Sequence, residues 1–250
     1  MQMKILFLDI ETFPNIAYVW GKYQQDVIKF KQQTCIATFV AKWAHKKAVI
    51  SRALPDYPGY RPGSYNDEKL VRELWQLFDE ADVVVSHNGR AFDTKVSQGR
   101  FLVYGMRPPS PYQQVDTKLA VKKVSRFNSN KLDDLGELLN IGKKIRTDFS
   151  LWSGCIDGEK KAWHKMVKYN RQDVRLLEKL YIRLRPWISN HPNQSINRNE
   201  VCPKCGSLHI QWAGTLRTCT RLYRRFKCVD CGGWGRSTKN DGGAIVTNAI

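Results

Sequence analysis

The chain has 250 residues, 42% hydrophobic and 11% aromatic: enough for one catalytic-sized domain with a smaller module beside it, and too apolar for a disordered chain. Its formal charge of +18, from 41 basic and 23 acidic residues, is self-repelling unless the partner is a polyanion, and nucleic acid is the obvious candidate. No stretch approaches the roughly 20 apolar residues that span a bilayer, MQMKILFLDI is broken too early by acids for a secretory signal, and no long helix sets a clean basic face against an apolar one, so no membrane partner is expected.

In chain order, residues 4–10 are nearly continuous apolar sequence, as in a central strand covered on both faces. Ile16 to Trp20 reads as a neighbouring strand and Thr34 to Val40 as another, giving a hairpin or meander before the first helix. Pro55, Pro58, Gly59, Pro62 and Gly63 make 52–64 a loop. A helix over about 67–80 buries Leu70, Leu74, Leu77 and Phe78, with Asn66 as its candidate cap. ADVVVS (81–86) is a short buried strand running into HNGRAFD, after which a helix starts near Ala91 and carries Val96 and Phe101. A loop over 105–111 leads to a short strand ending near Asp116. Ser129 or Asn130 caps a helix with Leu132, Leu135, Leu138 and Leu139 on its apolar face, closed by Asn140 and Gly142. A long helix over about 159–185 repeats Trp163, Met166, Val167, Val174, Leu177, Leu180 and Tyr181 at helical spacing until Pro186 stops it. The polar, asparagine-rich stretch 187–200 reads as a linker between a first domain (1–186) and a second (201–240), with 241–250 a flexible tail. This order fits an α/β mixed sheet flanked by helices, not a strictly alternating doubly wound fold.

Four acids fall in three short clusters. Asp9 and Glu11 stand at i and i+2 on one face of the first strand. Asp93 follows the Asn88-Gly89 turn, where glycine permits a tight path and Phe92 is expected to face the core. Tyr169 and Asp173, at i and i+4, share a face of the long helix. Gathered at one point, such carboxylates repel and pay desolvation unless cations lie between them, and a pair of divalent metals serves phosphodiester cleavage. The competing reading solvates each cluster separately. Asp116 either caps the next helix beside Thr117 or joins the metals, and His87 is expected to stabilise the turn.

The full set resembles the DEDD, or DnaQ-like, 3′–5′ exonucleases of the ribonuclease H-like fold. D-x-E matches Asp9-Ile10-Glu11, N-x-x-x-F-D runs from Asn88 to Asp93, and Y-x-x-x-D is Tyr169 with Asp173. The tyrosine marks the DEDDy branch. DIETFPN and HNGRAFD are similar to the stand-alone YprB-like and polymerase-B-like subfamilies, over roughly 1–185, and KLDDLGELLNIGKK resembles the family's intervening helix and basic turn. The resemblance implies a ribonuclease H-like sheet in which Asp9 bridges two Mg²⁺ or Mn²⁺ ions. Glu11 and Asp173 complete that site, and Asp93 supports the second ion directly or through water. Tyr169 orients the attacking water, and nucleoside 5′-monophosphates leave from a 3′ end. It also implies terminal-nucleotide contacts from Asn88, from Thr12 to backbone or sugar, and from Phe13 as a wedge against a base; a core position before Pro14 is the alternative for Phe13. A basic flank of Lys122, Lys123, Arg126, Lys143, Lys144 and Arg146 is expected to guide a single strand. Single-stranded DNA is the favoured substrate. An exoribonuclease, a structure-specific endonuclease with the same site and a non-catalytic adaptor remain open. No polymerase module accompanies these motifs, so proofreading in cis is not expected. The expected location is the cytoplasm, the host's for a virus- or phage-encoded chain.

Of seven cysteines, four form two CxxCG turns, Cys202 with Cys205 and Cys228 with Cys231, separated by 22 residues. Two such turns give tetrahedral Cys₄ coordination of one structural Zn²⁺ in a zinc ribbon within a reducing compartment. Iron–sulfur motifs are spaced more tightly, and no thioredoxin pattern surrounds either pair. Cys35 and Cys155 read as buried thiols, and Cys219 as lying mid-hairpin outside the site. With so few apolar residues the ribbon depends on its metal. Trp212, Leu216, Leu222, Tyr223 and Phe226 are expected to cover its small core. Arg217, Arg221, Arg224, Arg225, Lys227, Arg236 and Lys239, interleaved with Trp212, Tyr223 and Trp234, suit phosphate contacts plus base stacking, with protein docking the alternative.

Overall fold

The computed structural model describes residues 3–23, 26–196 and 200–244. They divide into two compact units, one spanning Lys4–Tyr181 and the other beginning at Ile182. No helix among them is long and apolar enough to cross a membrane.

The apolar N-terminal run forms β1 (Ile5–Thr12), and its first four residues are all buried. After it come β2 (Ile16–Tyr18), β3 (Lys29–Gln32), β4 (Ile36–Trp43) and β5 (Ile50–Ala53), then α1 (Glu68–Glu80) and β6 (Val83–Ser86). Next are α2 (Asp93–Val103), β7 (Gln113–Asp116), α3 (Thr117–Val124), α4 (Leu132–Leu138), α5 (Phe149–Ile156) and α6 (Lys160–Leu184). The five-stranded sheet runs β5-β4-β1-β6-β7. β4 is antiparallel to both β1 and β5, whereas β6 is parallel to β1 and to β7. This is the expected α/β mixed sheet flanked by helices.

The first expected hairpin is placed differently. Ile16–Tyr18 does not join the main sheet but pairs with β3 in a separate two-stranded ribbon. β4 takes one edge of β1 along its length, and on the other β6 pairs with Ile5–Phe7 while Asp93 Oδ1 takes the Ile10 amide. β3, β5 and α5 were not legible as elements, and α3 only through Asp116 as its candidate cap. They are four to eight residues long, and most of their positions are only partly buried or exposed, so they carry little periodicity.

A buried ion pair locks the helices to the sheet. Asp67 is fully buried; its Oδ2 accepts the Ile36 amide at 2.7 Å, while Arg100 Nη2 donates to Oδ1 at 2.5 Å and Tyr104 Oη at 2.6 Å. One carboxylate thereby ties the start of β4 to α2, the helix that carries Asp93.

The second unit holds β8 (Ile210–Arg217), β9 (Arg221–Cys228), β10 (Trp234–Arg236) and β11 (Gly242–Gly243) in one antiparallel sheet. The stretch expected to be a linker is tied to the first cysteine turn: Gln194 donates from its amide to Pro203 O at 2.8 Å and from Nε2 to Lys204 O at 2.7 Å. Residues 197–199 of that stretch lie outside the described residues, as do 245–250 of the expected flexible tail. Within the tail, Gly242 and Gly243 are not free but pair with Leu222 and Arg221 on β9.

Candidate active site

β1 delivers Asp9 and Glu11 to one face, and α6 brings Asp173 to them. Ligand oxygens of these three carboxylates all lie within 4.8 Å of one another. Asp173 is fully buried, and Asp9 Oδ2 and Asp173 Oδ1 accept no hydrogen bond. An orphaned buried carboxylate oxygen costs several kcal/mol unless a cation satisfies it, at roughly the scale of any buried unpaired charge. Hard oxygen donors at this spacing fit Mg²⁺ or Mn²⁺.

Asp93 stands next to this triad, not in it. Its side chain is buried at 3% exposure, and Oδ1 accepts the Ile10 amide at 3.1 Å. That bond pins α2 against β1 and reverses the expected direction of its neighbour: Phe92 is 40% exposed instead of facing the core.

The electrostatics follow from crowding. Burial first, then the charges of Asp93, Glu11 and Asp173, holds the Asp9 carboxyl well above the usual range. Burial and the Asp173 charge push Glu11 up to about 8. Burial raises Asp93 to about 7 against the opposing pull of the Ile10 amide. Burial, followed by the Glu11 charge, also raises the Tyr169 phenol, so it remains a hydrogen-bond donor at neutral pH.

The turn before Asp93 is built by neighbouring side chains. Asn88 adopts φ 71°, and an added Cβ at Gly89 would fall 1.7 Å from Ser86 Oγ. Gly89→Ala is therefore expected to cost about 1–3 kcal/mol by overpacking, read as a lower urea midpoint at unchanged m-value. Asp116 caps α3 through the Lys118 and Leu119 amides and also accepts the Asn88 and Arg90 amides at 3.0 and 3.2 Å, so its role is structural. His87 bridges Thr117 Oγ1 and Asn130 O, both at 2.9 Å, and burial lowers it to about 4. Asn88 Oδ1 is engaged by Lys118 Nζ at 3.2 Å. Thr12, half-buried at the end of β1, pairs with Ile36. Phe13 is a core ring, 1% exposed, with Tyr65 and Trp163 at 5.4 and 5.7 Å, so it has no face to wedge against a base.

Lys144 is the site residue that sequence reasoning misplaced. Grouped with an exposed basic flank, it instead sets Nζ 2.5 Å from Asp173 Oδ2 and 3.2 Å from the Tyr169 hydroxyl. Burial would lower its ammonium pKa, but the Asp173 charge and hydrogen bond override that and raise it. Its amide is held by Asp133 Oδ1 at 2.7 Å, whereas Lys143 beside it points outward to Glu137 at 3.0 Å. The signal was the turn after KLDDLGELLNIG, which the topology aims at α6. Lys144→Met is expected to lower turnover about 10–100-fold, as for outer-shell partners of metal sites. Because an opposing charge is lost, the acidic limb of the pH profile should also move to higher pH.

In the second unit the four cysteine sulfurs cluster within 4.8 Å, with Cys202 to Cys231 at 3.7 Å and Cys205 to Cys228 at 3.6 Å. A tetrahedral zinc with about 2.3 Å Zn–S bonds has an edge of about 3.8 Å, so the group fits. Gly206 and Gly232 take positive φ of 74° and donate back to Cys202 O and Cys228 O at 2.8 and 3.0 Å, which is why each CxxC ends in glycine. Cys219 is exposed at the hairpin tip, outside the cluster. Of the expected ribbon core only Phe226 is buried, with Trp212 against it at 5.4 Å; Leu216 is exposed. Three arginines lie over rings: Arg224 on Trp212, Arg225 on Trp234 and Arg236 on Tyr223, at 4.6, 4.9 and 3.7 Å. Arg217 and Arg221 are exposed at the hairpin end.

The family profile of the RNase_H superfamily (RNase_H_2) matches residues 6–185. The chain belongs to the RNase_H superfamily. Among solved structures, the family B DNA polymerase from the hyperthermophilic archaeon Pyrobaculum calidifontis is similar at TM-score 0.56 and 15% identity. The likeness covers 75% of this chain but 25% of the polymerase, so the chain spans a quarter of that protein's length, and at this identity it shows the fold alone. Comparison with curated proteins gives no match. The fold, the acidic triad and the Cys₄ cluster are consistent with a DnaQ-like exonuclease.

Proposed function

We propose that the chain is a metal-dependent 3′–5′ exonuclease of the DEDDy, YprB-like or polymerase-B-like kind, acting on single-stranded DNA ends and releasing nucleoside 5′-monophosphates. The observation that carries this reading is the triad of Asp9, Glu11 and Asp173 with two buried oxygens lacking any hydrogen-bond donor. These three carboxylates, with Asp93 beside them, would hold a pair of Mg²⁺ or Mn²⁺ ions. When bound, such ions supply Lewis acidity that acidifies water and offsets charge growing on a phosphodiester.

The chain's own groups do the positioning. The Tyr169 phenol, protonated at neutral pH, donates a hydrogen bond that orients the attacking water, and Lys144 fixes both Tyr169 and Asp173. Asp93 holds α2 on β1 through the Ile10 amide, which keeps the acidic edge in register. The ribbon adds a second nucleic-acid contact: Arg224, Arg225 and Arg236 stack on rings, and beyond the bonds that Arg225 Nε makes to Ala213 O and Arg236 Nη1 to Ser237 O their remaining N–H groups suit phosphates, with Arg217 and Arg221 nearby on the hairpin.

Digestion of end-labelled single-stranded DNA, duplex DNA, RNA and circular single-stranded DNA, each with Mg²⁺ or EDTA, tests this. The expected result is stepwise 3′ shortening of linear single-stranded DNA, lost in EDTA, with circles intact. Cleavage of circles would convert the reading to an endonuclease, and no metal-dependent cleavage of any substrate would end it.

A further inference from the structure

Between Tyr18 and Phe30 the chain leaves seven large apolar side chains exposed, among them Trp20 at 90%, Tyr23 at 74%, Tyr18 at 56% and Phe30 at 44%. Gln24 and Gln25 of this stretch lie outside the described residues. Burying one such side chain is worth about 1.5–3 kcal/mol, so a surface this apolar marks a binding site. The rings are not set for packing inside the protein. In the β2–β3 ribbon, Tyr18 pairs with Lys29 and Ala17 with Phe30, so exposed rings occupy both faces of a two-stranded arm.

The charge and the root of the arm say what covers it. Lys22, Lys29 and Lys31 are interleaved with the rings against a single acid, Asp26. A protein interface places its apolar residues on one contiguous face; rings alternating with ammonium groups on both faces suit bases and phosphates instead. The arm leaves the sheet just past Thr12, at the end of β1 that carries Asp9 and Glu11, and returns at β4. Its legs are clamped there: Thr34 N donates to Asn15 Oδ1 at 2.7 Å, Thr34 Oγ1 to Phe13 O at 2.7 Å, Phe13 N to Cys35 O at 3.0 Å and Tyr65 Oη to Pro14 O at 3.0 Å. From Glu11 to Tyr18 the chain reaches at most about 25 Å.

We propose that the β2–β3 hairpin is a base-stacking arm that grips the unpaired nucleotides of a single-stranded nucleic acid whose 3′ end lies among the acids. The assignment rests on the exonuclease reading; with Phe13 buried, it places ring contacts on the unpaired nucleotides upstream of the 3′-terminal one.

The test compares the KM of a 20-mer with that of a dinucleotide, which offers the arm far fewer bases to stack, in the full zinc-loaded protein. One stacked ring contributes about 1–3 kcal/mol, so Trp20→Ala or Tyr23→Ala should raise the 20-mer KM about 5- to 140-fold and erase its preference over the dinucleotide. Trp20→Phe should largely retain the preference. An unaltered 20-mer KM in the Trp20→Ala, Tyr23→Ala double variant would overturn the proposal. So would a dimer in sedimentation, or binding to anionic phospholipid vesicles, that the double variant abolishes while the 20-mer preference persists. If the unmutated protein cleaves neither substrate, the exonuclease reading fails separately. Fluorescence anisotropy of a labelled 20-mer still reports on the arm: weaker binding by the double variant supports it, and equal binding overturns it.

Discussion

Asp9→Asn is expected to lower metal-dependent phosphodiester hydrolysis by at least about 10²–10³-fold, the loss typical of removing one preorganised electrostatic group, and to make the metal-free protein more stable. The two effects share one cause. Asp9 is buried among Asp93, Glu11 and Asp173, and desolvation together with three like charges opposes its ionisation. Asparagine keeps the shape without the cost of ionising among like charges, so the variant escapes the destabilisation that Asp9 brings once it is deprotonated. In EDTA the variant should therefore melt above the unmutated protein, while the unmutated protein should gain more from added Mn²⁺. A residue that merely supports the fold would lose stability and activity together.

The same acids set a pH dependence with a definite sign. Glu11 rises from 4.5 to about 8 and Asp93 from 3.8 to about 7 on folding, with burial the largest cause of both. A carboxyl whose folded pKa is raised contributes stability that is complete below its unfolded value and lost as pH climbs through the folded one. The metal-free protein should accordingly lose stability between about pH 4 and 8. Divalent cations, which bind only deprotonated carboxylates, should offset that loss increasingly toward pH 8.

The second large effect lies in the ribbon. Cys228→Ser, or removal of zinc by a strong chelator, is expected to unfold the second unit while leaving the first folded. Apart from two of its own cysteines, the sheet unit buries little: Phe226 is the one apolar side chain of β8–β11 that is fully covered, and Trp212 and Tyr223 are only half-buried. Structural zinc contributes about 10–16 kcal/mol of apparent binding energy, more than a core of this size supplies. Hydrogen exchange reads both units at once. Amides of β8 and β9 should lose protection in the variant, and those of β1 and β4 should keep theirs. Persistent protection across β9 without metal would show that the aromatic–arginine stacks suffice.

Where one residue type dominates the physics, the sequence was legible. The apolar run of β1, the leucine stripe of α1 and the long α6 are read from burial periodicity, and the Cys₄ cluster from spacing alone. The acids were legible because charge at the end of an apolar strand needs a reason. What was hidden depends on long-range partners. Phe92 turns outward, against expectation, because its neighbour Asp93 is bound to one amide, that of Ile10, 83 positions away. Lys144 looks like any basic surface residue until α6 sets Asp173 against it. Phe13 reads equally as wedge or core until Tyr65 and Trp163 enclose it. Ile16–Tyr18 has the composition of a sheet strand, yet it pairs with β3 in the arm, with β4 on one edge of β1 and β6 and Asp93 on the other.

The most direct trial is anomalous diffraction from crystals soaked in Mn²⁺ with a nucleoside 5′-monophosphate. Manganese bound by Asp9, Glu11 and Asp173, with the phosphate against it and no such density in Asp9→Asn crystals, is the predicted result. Carboxylates left without metal at millimolar Mn²⁺, or manganese bound only elsewhere on the protein, would contradict the account.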